Sequence, residues 1–99
     1  MFEYTGCLVQ AQAGRDKGEI LCVVGADCEQ GFLLLADGKR RKVAKPKRKK
    51  LRHVSLLQQD DFRHPALEKL KQGAPLSDRD LRRALAAFKG GNHAWQKTI

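Results

Sequence analysis

From Leu8 to Ala13 the chain alternates. Val9, Ala11 and Ala13 fall on one face and Gln10 and Gln12 on the other, which is the two-residue period of a strand. Gly14-Arg15-Asp16-Lys17-Gly18 has the composition of a turn. Ile20–Ala26 is apolar and rich in β-branched residues, the pattern of a strand buried on both faces. Asp27–Gly31 is polar and ends in glycine, so it reads as a second turn. Phe32–Ala36 then predicts a third strand. Asp37-Gly38 is a strong short hairpin signal of the type I′ class, which predicts a return strand over Arg40–Ala44. Pro46 cannot donate to a sheet ladder and marks a break or an edge. Lys50–Leu56 predicts a last short strand. Five short strands with tight turns in about fifty residues predict a small barrel.

Beyond residue 63 the period changes. Pro65, Leu67, Leu70 and then Gly73 predict a short helix of about two turns. A second helix is better specified. Ser77 is placed to cap it, with Asp80 completing a capping-box-like pair, and Leu76 and Leu81 occupy the positions of a hydrophobic staple. Leu81, Ala84, Leu85 and Phe88 form one apolar stripe at helical spacing, read as packing against the first helix or the barrel. Gly90-Gly91 closes the helix. The organisation expected is a barrel over 1–56, a linker over 57–63, a helical pair over 64–90 and a flexible tail over 91–99. Trp95 in that tail has no periodic context.

Charge adds a second constraint. Of the 99 residues, 20 are Lys or Arg and 11 are Asp or Glu, a net charge of +9. The distribution is uneven. Residues 1–38 hold two basic and six acidic side chains, a net of −4. Lys39–Arg52 holds ten basic side chains in fourteen residues and no acidic one. A field this concentrated calls for a polyanion or for solvent. Val43, Ala44, Leu51 and Val54 interleave with the cations and point to structured backbone rather than a tail. The binding candidates are therefore Lys39, Arg40, Arg41, Lys42, Lys45, Lys47, Arg48, Lys49, Lys50 and Arg52.

Catalytic and metal chemistry find little support. Cys7, Cys22 and Cys28 match no zinc spacing and read as small apolar residues in a reducing compartment, Cys28 being the most exposed. His53, His64 and His93 are scattered, with no triad or metal pattern near them. No cofactor, metal or small-molecule substrate is expected, and the chain is not expected to be an enzyme. The longest apolar runs are too short to span a bilayer and no signal peptide is visible, which predicts a cytoplasmic protein.

The segment Gly6–Val24, GCLVQAQAGRDKGEILCVV, resembles the KOW motif: an alternating strand, a turn with a Gly-basic-Asp-basic-Gly pattern, and a second apolar strand. The Asp37-Gly38 signal lies at the right distance, and Pro46–Val54 looks like the closing strand of KOW proteins of the large ribosomal subunit. With the appended helical pair, the chain looks like the small stand-alone bacterial RNA-binding relatives of those proteins. The resemblance implies a mainly β fold, a five-stranded SH3-like barrel followed by two short helices, and a Gly14–Gly18 loop facing RNA. On this reading Gly18 is the motif's central glycine, Gly14 and Asp16 shape the turn, and Asp16 bonds backbone N–H groups. Arg15 and Lys17 then project as phosphate ligands. Gln10 and Gln12 depart from the more basic strand of such relatives.

The mechanism implied is binding without chemistry. Lys and Arg neutralise phosphates and release counterions, giving salt-sensitive affinity with little sequence information. None of the aromatics lies within the basic segment, which favours structured RNA, ribosomal RNA above all, over a stacked single strand. The expected partner is RNA, with the ribosome or another ribonucleoprotein around it. Two alternatives stay open: a protein-interaction module in transcription or translation, and a duplex-DNA binder.

Overall fold

Alternation in the first half of the chain becomes antiparallel pairing. Strands β1 (Leu8–Ala11), β2 (Ile20–Asp27), β3 (Phe32–Ala36), β4 (Lys47–Lys50) and β5 (Val54–Leu56) form one five-stranded sheet in the order β4-β3-β2-β1-β5. The computed structural model describes residues 4–27, 29–57 and 64–90. Cys28, residues 58–63 of the expected linker, and the expected 91–99 tail with Trp95 lie outside them. Helices α1 (Pro65–Lys71) and α2 (Asp78–Gly90) complete the fold.

The expected barrel is not closed. β4 pairs with β3 and β5 pairs with β1, so each is an edge, and a single 3-10 turn, Leu51–His53, carries the chain from one edge to the other. The fourth and fifth strands are also displaced from their expected positions. Arg40–Ala44 is loop, and the return strand begins only at Lys47, opposite Leu35. A type I′ turn needs positive φ at both central residues. Gly38 has φ +79°, but among the described residues no non-glycine residue has positive φ, and Asp37 is no exception. The Asp37 carboxylate instead accepts from the N–H groups of Lys39 and Arg41, each at 2.9 Å, and holds a wider loop. Lys50–Leu56 is likewise not one strand. Lys50 ends β4, and Val54 begins β5 opposite Ala11.

β2 is buried on both faces, as its composition requires. Ile20 and Cys22 belong to one apolar cluster, with Leu8, Ala36, Ala66, Leu67, Leu70, Leu81, Ala84, Leu85 and Phe88. Leu21 and Val23 belong to another, with Val9, Ala11, Leu33 and Leu35. The helical stripe therefore packs on the sheet and on α1 together, and sheet and helices share one core. Val24 is the extra residue of a bulge, since Val23 faces Leu35 and Gly25 faces Leu34. Burial pushes the Cys22 thiol up to about 12.

The expected proline and serine stand at the helix starts, the serine half of the capping-box-like pair being formed, and His64 is an addition. Pro65 stands at the first turn of α1, and the imidazole of His64 caps it, Nδ1 accepting from the N–H of Ala66 at 3.2 Å. Ser77 Oγ accepts from the N–H of Asp80 at 3.1 Å and caps α2. Leu76 packs against the cluster that holds Leu81. Among the described residues no helix is long and apolar enough to cross a membrane.

Candidate nucleic-acid interface

Antiparallel pairing places the β1–β2 loop and the β3–β4 loop at the same end of the sheet. In the first loop, Gly18 N–H donates to Ala11 O at 2.8 Å and Lys17 N–H to Gly14 O at 3.2 Å. The turn runs through Gly14 at φ +81° and Gly18 at φ +90°, conformations that cost glycine little. Gln10, on the neighbouring strand, donates from Nε2 to Gly18 O at 3.2 Å and so braces the turn, a role its sequence context did not reveal. Arg15 and Lys17 are exposed on either side of a buried Asp16.

Asp16 points inward to a partner in the second loop. Its Oδ2 accepts from Arg41 Nη2 at 3.0 Å, the carboxylate being 8% exposed and the guanidinium side chain 32%. The contact found for the side chain is thus an ion pair between loops, where bonds to the turn's own backbone were expected. Arg41 Nε is buried with no hydrogen-bond partner among the described residues. Arg41 also closes its own loop, its carbonyl accepting from the N–H groups of Asp37 and Gly38 at 2.9 and 3.0 Å.

Helix α2 holds the second loop from behind. Asp78 Oδ1 accepts from Val43 N–H at 2.7 Å, and Arg82 Nη1 donates to Gly38 O at 2.6 Å. A Cβ on Gly38 would meet the carbonyl oxygen of Asp78, so glycine is required by contact as well as by angle. With the backbone fixed from both sides, Lys39, Arg40, Lys42 and Lys45 stand exposed around the loop. Arg79 and Arg83 are exposed on the adjoining helix.

β4 divides its cations by strand period. Lys49 shares a face with Leu33, directly opposite, and is buried. Its Nζ donates to Ala13 O at 3.0 Å, tying β4 to the β1–β2 loop. Arg48 and Lys50 face the other way, flanking Phe32, with Arg48 Cζ 4.4 Å and Lys50 Nζ 6.0 Å from the ring centroid. Gln30 Oε1 accepts from Arg48 Nη2 at 3.1 Å, and Asp27 Oδ2 lies 3.8 Å from the same nitrogen.

Ten of the twelve basic candidates are therefore exposed: Arg15, Lys17, Lys39, Arg40, Lys42, Lys45, Lys47, Arg48, Lys50 and Arg52. Arg41 and Lys49 are drawn into the structure as braces. Phe32 is a candidate contact that the sequence does not mark, because it lies outside the basic segment. The β3–β4 register brings it into contact with that segment, and a correctly placed return strand would have shown it. Among the described residues no three or more His, Cys, Asp or Glu side chains are grouped to hold a metal ion. In comparisons with known proteins, the chain matches no family model and no curated sequence.

Proposed function

We propose that this protein binds structured RNA without catalysis, ribosomal RNA being the leading class, through the basic end of its sheet. The observation that carries the reading is the joining of the two loops. The Asp16–Arg41 pair sets Arg15 and Lys17 of one loop beside Lys39, Arg40, Lys42 and Lys45 of the other. The cations are held on braced backbone at one end of the sheet, and Lys47 continues the surface along the β4 edge. Phosphates are contacted by such a surface through charge and shape, as suits a folded RNA. The strand–GRDKG–strand pattern, its two positive-φ glycines and a sheet with two short edges joined by one 3-10 turn favour an SH3-like, KOW-type module. On this reading the protein works in the cytoplasm, within or beside a ribonucleoprotein.

The test is ultraviolet crosslinking in cells followed by sequencing of the attached RNA, with a competition in vitro between a structured RNA and a DNA duplex of equal length. The proposal predicts crosslinks concentrated in structured RNA and preferential competition by RNA. Equal competition by DNA would favour the duplex-DNA reading, and a protein that crosslinks to no RNA would refute the proposal.

A further inference from the structure

At the other end of β4, beyond the phosphate-binding loops, the chain builds a different kind of surface. Leu51 is 39% exposed although it is apolar, and it stands between Lys50 and Arg52. These three residues, with Gln30 and Gly31, bound an open cavity of about 410 Å³. A Cβ placed on Gly31 would meet no atom within 4 Å, so the space above its backbone is open. The amide of Gln30 is held by Arg48, which is itself seated on the Phe32 ring and beside Asp27.

The chemistry is mixed in a specific way. Two cations suit a phosphate, an apolar side chain suits the flat face of a base, and an oriented amide suits a base edge. An acidic peptide would use the cations and leave Leu51 and Gln30 without a role. A paired base cannot lie against Leu51, because both its faces are covered by stacking and its Watson–Crick edge by pairing. We infer that this cavity holds one unpaired nucleotide of a structured RNA, with its phosphate at Lys50 and Arg52, its base against Leu51 and its edge on Gln30. The inference rests on the RNA-binding proposal and gives it a selectivity. Lys47 to Lys50 spans about 10 Å, so a stem at the loops and a bulge at the cavity lie within one short stretch of RNA.

The experiment compares three hairpin RNAs that share one stem: fully paired, carrying one bulged nucleotide, and carrying one abasic bulge. Binding to the intact protein is followed by fluorescence anisotropy at one salt concentration. The bulged hairpin is expected to bind about tenfold tighter than the other two, a difference of about 1.4 kcal/mol. Leu51→Ser and Gln30→Ala, each verified as folded by circular dichroism, should each reduce that preference while leaving affinity for the paired hairpin unchanged. Equal binding of the bulged and paired hairpins would overturn the nucleotide site and leave RNA binding standing. So would a preference that survives both substitutions, and an abasic bulge as good as the complete one. Failure of all three hairpins to bind would overturn the RNA-binding proposal, and this inference with it.

Discussion

Arg41 donates to Asp16 across 3.0 Å, joining two loops whose partners lie twenty-five residues apart in the chain. The pair stands between exposed cations of both loops, so removing it should affect stability and binding together. Asp16→Ala leaves the Arg41 guanidinium beside a turn with no counter-charge. A double-mutant cycle of Asp16→Ala and Arg41→Ala in urea should give a coupling of roughly 1 kcal/mol. The Asp16→Ala protein should also bind RNA more weakly although it has gained a net positive charge, because its cations are no longer held in register. Tighter binding would show that total charge matters and arrangement does not.

Gly18 and Gly38 both have positive φ but differ in surroundings. A Cβ on Gly18 meets nothing within 4 Å, whereas one on Gly38 runs into the first turn of α2. Gly18→Ala should cost about 1–2 kcal/mol from the backbone angle alone. Gly38→Ala should cost more, because the loop must also part from Asp78 and Arg82. Urea midpoints for the two variants check the order, and equal costs would mean that the helix does not hold the loop.

Helices and sheet share a core in which Phe88 is fully buried against the cluster that includes Leu8, Ile20 and Cys22. Phe88→Ala should destabilise the whole protein by about 3–5 kcal/mol. A chain ending near residue 59 should lose cooperative unfolding, since one face of the sheet would be bare. A sharp thermal transition in that truncated chain would show instead that the sheet folds alone.

Cys22 supplies a pH test. Burial, and next the neighbouring Cys7, push its thiol up to about 12, with Lys71 pulling weakly the other way. A raised folded value means that its contribution to stability is intact below the ordinary thiol range, near pH 8.5, and is lost as pH rises from there toward 12. The urea midpoint should fall from pH 8 to pH 10, and fall less in Cys22→Ala. In the native protein at pH 8, Cys22 should resist alkylation until urea unfolds the chain. Native labelling at the rate of a peptide thiol would place it at the surface.

Much of this architecture was legible in the sequence wherever local pattern and tertiary demand agree. β2 reads as doubly buried, α2 reads from its cap and stripe, and Gly18 reads as a special turn position. The region from Asp37 to Leu56 misled because its signal is ambiguous at short range. Asp37-Gly38 has the letters of a tight hairpin, but the carboxylate of Asp37 can also close a wider loop, and contact with Asp78 and Arg82 selects that loop. The faces of the β4 cations follow only once the return strand is placed at Lys47. This is why Lys49 turns inward and why Phe32 meets Arg48. A run of like charges carries no hydrophobic period from which such a register can be read.

If the exposed cations of the basic end contact RNA as proposed, the salt dependence of binding counts them. For a structured hairpin with about six phosphates contacted, the slope of log affinity against log salt should be roughly −4 to −5. Replacing Lys39, Arg40, Lys42 and Lys45 by Ser should flatten it to roughly −1 to −2, while Lys49→Met, which removes an inward charge, should leave it unchanged. A slope that ignores the four loop substitutions, or that drops as much for Lys49→Met as for Lys47→Met, would contradict the assignment of the basic end as the RNA-binding surface.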